Sequence, residues 1–422
     1  MPSSTFSPYP FTRVARSHHL HLLAILGLVF LLSACTTVDI KPSTPGSAAS
    51  TGKIEHEQRR IDEALALGPS QPSHLGQFLE LIAQKHSIPL ANLKEAFADS
   101  KTIPSVKKLV MPPPPGFQKN WRVYRGRFVE PRRLNAGETF WKQHQAFIRQ
   151  SAEKYGVPAD VIVAIIGVET IYGRHMGTFP VRDTLVTLGF QYPPVHNQAA
   201  REKLFKDQLE DLILLCWSKE VKPQAFKACL NQTGSYAGAI GLPQFMPGSI
   251  RRFAVDGDGN GQINLRESTQ DAIASVAHFL QQHGWVPHEP IYLPIANTQQ
   301  AQMNAARLAD GKPETGRTLG ELFEAGVIEK IPQELNAQTP ALIVDLPSPD
   351  GQGGTEVRYV VGLRNFIAIC EYNRSFFYAQ SVAEFAEALQ SPEPSNPVKQ
   401  KTKAQKNKAK KSNQASRREN TR

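Results

Sequence analysis

"AIIGVETIYGRHMG", Ala164 to Gly177, sets a glutamate directly behind a run of aliphatic side chains. Val161, Ile162, Val163, Ile165, Ile166 and Val168 crowd a segment that Pro158 opens, and proline suits a first helical turn. The pattern predicts a helix that ends near Glu169. Two readings of that glutamate stand side by side. In one it is a helix-end carboxylate turned to water. In the other it sits in an apolar, water-poor pocket that disfavours its ionised form, so that it stays protonated near neutrality and can donate a proton. A general acid in glycoside cleavage needs that property.

Outward from this helix the body reads as mainly α. "HLGQFLELIAQKHS" and "GETFWKQHQAFIRQSAEKYG" carry apolar residues at spacings of three and four, and "MPPPPGF" (Met111 to Phe117) breaks them with a loop or extended crossing. Helical patterns recur at Gln198 to Trp217, Thr269 to His283 and Ser375 to Leu389. After Trp285 the texture changes: "PIYLPIA", "ALIVDLP" and "EVRYVVGL" read as short strands, with a helical piece at Thr318 to Ala325. No internal repeat is visible.

"DGDGNGQINLRE", Asp256 to Glu267, is the most specific motif. Asp256, Asp258 and Asn260 fall at positions 1, 3 and 5 of an EF-hand-like loop, and Gly261 supplies the sharp turn. Gln262 would offer its backbone carbonyl, Ile263 would pack inward, and Glu267 would bind at position 12. That spacing wraps six or seven oxygens around one Ca²⁺ ion. Asp271, four residues on, could replace or join Glu267. A single loop suits a structural ion better than a sensor. No CxxC or HExxH pattern points to zinc or redox chemistry.

Five stretches together, "GVETIYGRHMG", "GSYAGAIGLPQFMPGSI" (Gly234 to Ile250), the calcium loop, "DAIASVAHFLQQHGW" (Asp271 to Trp285) and "EYNRSFFYA" (Glu371 to Ala379), resemble in order and spacing the membrane-bound lytic murein transglycosylase B family. The resemblance covers about Leu75 to Leu389. It implies a mainly α (α+β) fold: a lysozyme-like catalytic core with a helical N-terminal region, the calcium loop and a small β-rich insertion. It also implies cleavage of the β-1,4 bond between N-acetylmuramic acid and N-acetylglucosamine in peptidoglycan, leaving 1,6-anhydromuramoyl ends. Glu169 then matches the acid/base, Ser235 and Gln244 match polar residues of the sugar groove, and Tyr372 with Asn373 match a pair near the reacting sugar. The residue types suit this, because amides and hydroxyls hydrogen-bond sugar hydroxyls and N-acetyl groups, while Tyr236, Phe245 and Tyr372 offer faces for pyranose rings. Read alone, the same residues are turn formers and core aromatics. Two alternatives stay open: a hydrolytic muramidase, for which Asp183 is the nearby second acid in sequence although it looks like a helix-start cap, and a non-catalytic peptidoglycan-binding scaffold.

The ends belong to different physics. Arg13 and Arg16, an apolar run from Leu20 to Leu32, and Ser33-Ala34-Cys35 have the order of a secretory signal. "LSAC" resembles the lipobox of bacterial lipoproteins, which implies a lipid anchor on Cys35; Thr36 after it favours the outer membrane of a Gram-negative cell, facing the periplasm. Of the net charge of +10, most lies in Ser391 to Arg422, where ten Lys or Arg meet Glu393 and Glu419. That tail reads as disordered and could settle on an anionic surface or merely solubilise the chain. The body carries no net charge, so nothing in it points to nucleic acid. Cys216 and Cys229, close in sequence, are the candidate disulfide pair in an oxidising compartment; otherwise they, with Cys370, are small buried hydrophobes.

At 422 residues the chain can hold two or three domains. The expected division is 1–34 signal, 35–65 lipidated Cys35 and tether, 66–150 helical region, 151–288 catalytic core, 289–365 β-rich insertion, 366–390 return to the catalytic region, and 391–422 basic tail.

Overall fold

The computed structural model describes residues 73–114 and 116–390. The signal, Cys35, the tether and the basic tail lie outside the described residues. In chain order the elements are α1 (Ser73–His86), α2 (Leu90–Phe97), α3 (Pro104–Leu109), α4 (Trp121–Gly126), α5 (Pro131–Tyr155), α6 (Ala159–Thr170), β1 (Phe179–Pro180), α7 (Val181–Phe190), α8 (Gln198–Cys216), α9 (Pro223–Leu230), β2 (Thr233–Gly234), α10 (Pro247–Phe253) and α11 (Thr269–Gln282). Then follow β3 (Tyr292–Pro294), α12 (Gln299–Leu308), β4 (Arg317–Thr318), α13 (Leu319–Glu324), β5 (Pro340–Pro349), β6 (Thr355–Gly362), α14 (Arg364–Tyr372) and α15 (Phe376–Gln390).

Helix α6 forms as its sequence predicts, with Pro158 at the N-cap, and every residue from Asp160 to Val168 is buried. A helix apolar on all sides must be surrounded; α5, α11 and α15 pack around this one. The fit is close at Gly167, where a Cβ would stand 2.4 Å from the Tyr172 hydroxyl and 2.7 Å from the Phe385 ring. The helix ends abruptly because Ile171 and Tyr172 both take left-handed backbone, at φ 50° and 57°. Neither is glycine, so the reversal costs about 1–2 kcal/mol per residue and must be held by its surroundings. Thr170 supplies part of that hold: its Oγ1 accepts from the Gly173 amide at 3.0 Å and donates to the Leu242 carbonyl at 2.9 Å.

Helices α1, α2 and α3 lean on α7 and α9. Asp183 is not the cap of α7. Pro180 holds that position, and the Asp183 carboxylate instead accepts from the buried Arg182 guanidinium at 2.9 Å. Cys216 at the end of α8 is bridged to Cys229 in α9, across a Cα–Cα distance of 5.6 Å, while Cys370 is free and buried.

Strands β3 to β6 form an antiparallel sheet in the order β3-β6-β5-β4, and β1 and β2 pair separately. Strand β5 is longer than the short run expected, and its alternation serves two cores. Leu342, Val344 and Leu346 join the main core, whereas Ala341 and Ile343 join a second core with Ala305, Leu319, Leu322 and Val361. Helix α12 was not legible as a helix, because the side chains it buries are the small Ala301 and Ala305, and its large apolar Met303 is exposed. On the main-core side Glu384 of α15 is nearly buried and clamps Arg125 of α4 and Arg358 of β6, the latter at 2.5 Å.

Candidate active site

The last turn of α6 opens into a cleft lined by Glu169, Ala239, Gln244, Phe245, Met246, Ser249, Phe279, Glu371, Tyr372 and Asn373. Four stretches distant in sequence meet there: the end of α6, the glycine-rich loop from Gly234 running into α10, α11 through Phe279, and the α14–α15 junction. Short pairings fix the loop. Strands β1 and β2 join Phe179 to Gly234 and Pro180 to Thr233, and Ile240 bridges Phe245.

Glu169 keeps some exposure to the cleft, yet protein packs closely around its carboxyl. Burial pushes its pKa up, a hydrogen bond from Tyr378 and the charge of Arg133 pull it down, and the balance stands at about 7. Its Oε1 accepts from the Tyr378 hydroxyl at 2.6 Å. The opening alternatives are thereby decided on geometry: the carboxyl is no solvated helix end, and near neutrality a substantial share of it carries a proton.

The other expected residues divide. Gln244, Phe245, Tyr372 and Asn373 line the cleft with Glu169. Gln244, at φ 50°, spends its amide donors on the carbonyls of Gly241 (2.8 Å) and Met176 (3.3 Å), so its oxygen is what remains to offer a ligand. Phe245 is 2% exposed and meets Phe279 and Tyr372 with ring centroids 5.4 and 5.6 Å apart, so it floors the cleft more than it presents a face. Tyr372 donates to the Pro243 carbonyl at 2.5 Å and stacks on Tyr378. Ser235 and Tyr236 do not line this cleft. The Ser235 Oγ accepts from the amides of Ala237 and Ala239, the work of a turn former, and Tyr236 is half-buried against the core.

Two groups at the site, one buried behind Glu169 and one on the cleft wall, escaped the sequence reading. Tyr378 lies 209 residues from the glutamate it binds, and in "FFYA" it reads as one more core aromatic. Glu371 is a second carboxylate on the cleft wall, hidden because Asp183 stands nearer in sequence; Asp183 itself is outside the cleft.

The acidic loop departs from EF-hand spacing. Ile263 is 46% exposed, and Leu265, two residues later, is the side chain that packs inward. Glu267 is exposed and outside the acidic cluster. Asp256, Asp258 and Asp271 form that cluster, with one carboxylate oxygen of each within 4.8 Å of the others. Asp271 is fully buried in the first turn of α11, where its two oxygens accept from the amides of Gly257 (2.8 Å) and Asn264 (2.7 Å). The Asp256 carboxylate accepts from the amides of Gly261, Gly259 and Asn260, which hold its pKa below the usual carboxylate range. The Asn260 oxygen accepts from the Gln262 amide, closing the turn that Gly261 makes at φ 85°. Three converging carboxylates fit a hard cation that takes oxygen ligands.

The Transglycosylase SLT domain family matches residues 71–387. Membrane-bound lytic murein transglycosylase B of Escherichia coli (strain K12) is 32% identical over 383 residues, covering 87% of this chain and 97% of that protein. Soluble lytic transglycosylase SltB1 of Pseudomonas aeruginosa superposes with a TM-score of 0.64 at 34% identity, over 75% of this chain and 98% of that one. The Escherichia coli lytic transglycosylase Slt35, solved in complex with calcium, gives a TM-score of 0.60 at 33% identity, over 74% of this chain and 91% of its own. With the acid-bearing helix, the glycine-rich loop and the α14–α15 junction all inside the matched span, the chain belongs to the Transglycosylase SLT domain family, whose relatives named here are lytic transglycosylases.

Proposed function

We propose that this lytic murein transglycosylase works through Glu169 as its single acid/base. The protonated carboxyl gives its proton to the glycosidic oxygen as the bond from muramoyl C1 to that oxygen breaks. The resulting carboxylate then takes the proton of the muramoyl C6 hydroxyl while that oxygen bonds to C1. The product carries a 1,6-anhydro ring, and no water is consumed. The observation that carries this reading is the Glu169 carboxyl held at about 7 inside a cleft, with a tyrosine donor on one oxygen. An acid that must become a base in the next step is best served by a pKa near the working pH. Gln244 through its oxygen and Asn373 are the groups that would hold sugar hydroxyls and N-acetyl groups.

Mass spectrometry of muropeptides released from purified sacculi tests this directly. Anhydromuramoyl ends support it. Reducing-end muramic acid would indicate a hydrolase, for which Glu371 is the second carboxylate in the cleft, and would send the search there. Retained binding without any released sugar would favour the scaffold reading.

Two further assignments accompany the reading. Asp256, Asp258 and Asp271, with Asn260 and the Gln262 carbonyl, are the residues that would hold one structural Ca²⁺, a reading supported by the calcium complex of Slt35. Cys35 would carry the lipid anchor of an outer-membrane lipoprotein facing the periplasm. The name of the Escherichia coli relative supports a membrane attachment, and among the described residues no helix is long and apolar enough to cross a membrane. Cys35→Ser should move the protein from the membrane to the soluble fraction; recovery of the unsubstituted protein in the soluble fraction with an unmodified N-terminus would defeat the assignment.

A further inference from the structure

We infer that Arg133 is a positioning residue for Glu169, a buried guanidinium that fixes the last turn of α6 and keeps a positive charge behind the acid. The inference rests on the proposed role of Glu169.

Arg133 lies near the start of α5 and is 8% exposed. Its Nη1 donates to the carbonyls of Gly167 and, at 3.3 Å, Val168, the two residues directly before Glu169. Its Nη2 donates to the Arg127 carbonyl at 3.3 Å, and the guanidinium lies 5.2 Å from the centre of the Phe128 ring. The Nε is buried without a partner, and among the described residues the guanidinium makes no ion pair. A buried cation with no carboxylate bonded to it is costly. Its surroundings lower its own pKa, through burial first, while Glu130, Tyr172 and Glu169 oppose that.

The contacts it does make explain its retention. The last four carbonyls of a helix lack helical partners and carry the negative end of the helix dipole. Val168 supplies one of these carbonyls, the Gly167 carbonyl also accepts from the Ile171 amide at 3.1 Å, and a cation at this end of the helix is favourable. Without it, the same dipole would oppose the negative charge that Glu169 acquires whenever it gives up its proton. Arg133 therefore acts twice: its two-pronged hold sets the direction in which the Glu169 side chain leaves the helix, and its charge offsets the carboxylate that the first step of bond cleavage creates. Gly137, four residues further along α5, and Gly167 both close on the Tyr172 hydroxyl, so α5 and α6 meet closely where Arg133 reaches across.

The other charged or titratable groups facing this pair are few. From α4 and the loop after it come Tyr124 and Arg127; from the start of α5, Glu130 and Arg132; after α6, Tyr172; and from α14 and α15, Glu371, Tyr372 and Tyr378. The carboxylate Glu130 is already engaged by the backbone amides of Arg132 and Arg133. Arg133 is the cation whose charge bears on Glu169.

Two full-length variants separate charge from geometry, read by the pH profile of kcat/KM for anhydromuropeptide release and by carbon-13 titration of the Glu169 carboxyl. Arg133→Gln keeps an amide donor and removes the charge, so the alkaline limb and the titration should both move up by about one pH unit, the low end of what an adjacent opposite charge does to a carboxyl. Arg133→Lys keeps the charge and loses the fork, so the limb should stay in place while kcat falls at least about tenfold. A Gln variant of reduced activity whose limb and titration do not move would reduce Arg133 to a packing residue and overturn the proposal. So would a Lys variant with unchanged kcat, which remains decisive if the Gln variant does not fold. Failure of the underlying reading looks different: an active Glu169→Gln enzyme, whatever the Arg133 variants do.

Discussion

Glu169→Gln should cost the enzyme its activity and make it more stable above neutral pH. The amide is nearly isosteric with the protonated carboxyl and can still accept from Tyr378. It cannot transfer a proton, so the rate should fall by about 10² to 10⁴. The stability effect follows from the same burial. Glu169 titrates at about 7 in the folded protein against an ordinary 4.5, so between those values the folded state holds a proton that the unfolded chain has released. Its stability contribution is therefore complete below 4.5 and is lost as pH rises through about 7. At ~1.4 kcal/mol per pH unit the loss approaches about 3 kcal/mol, an upper bound because the carboxyl keeps some contact with the cleft. Denaturant unfolding of both proteins between pH 4 and pH 9 should give curves that converge in acid and separate above neutrality, with the Gln variant the more stable. Parallel curves would mean that Glu169 titrates alike in the folded and unfolded chain, and the argument from burial would fail.

Three other outcomes follow from the geometry. Tyr378→Phe removes the donor that favours the Glu169 carboxylate, so the alkaline limb should move up and kcat should fall by about tenfold, the lower end of what a hydrogen bond to a charged group contributes; an unchanged pH profile would show that the 2.6 Å contact is idle. Calcium at a hundred times its dissociation constant should add about 2.7 kcal/mol, a response that Asp256→Ala abolishes and Glu267→Ala leaves intact; dependence on Glu267 would restore the EF-hand spacing. Replacing Cys216 and Cys229 by alanine reopens a loop of 13 residues and should cost about 3 kcal/mol, read as a lower unfolding midpoint, whereas an unaltered midpoint would show that the bridge constrains nothing.

What the sequence made legible was whatever depends on periodicity or on a short fixed spacing. The aliphatic run before Glu169 announced a buried helix because apolar residues on every side admit no other placement. The strands declared themselves through β-branched alternation. The acidic loop was visible as a loop, yet its register was not: Asp271, and not Glu267, lies with Asp256 and Asp258 through the way α11 starts, with Ser268 capping the helix and Asp271 turned back toward Gly257 and Asn264. Tyr378 and Arg133 could not be found by spacing at all. Tyr378 reaches Glu169, and Arg133 the two carbonyls before it, across helix–helix contacts, and nothing local distinguishes them from a core tyrosine and a surface arginine. Ser235 shows how a residue type can suit two tasks: its hydroxyl fits a sugar, and in the structure its oxygen accepts from the local turn.

The clamp at Glu384 should set a lower pH boundary against the upper one that the proposed role of Glu169 implies. Burial pushes the Glu384 carboxyl up, but Arg125 and Arg358 outweigh it and hold the group below its ordinary value. Its contribution is therefore present at neutral pH and lost as the medium becomes acidic enough to protonate it. That loss would slacken the joint between α4, β6 and α15, and α15 carries the tyrosine that grips the acid. If Glu169 is the acid, acidic medium should disarm the enzyme from behind, by loosening the scaffold, and alkali from the front, by emptying the proton from Glu169.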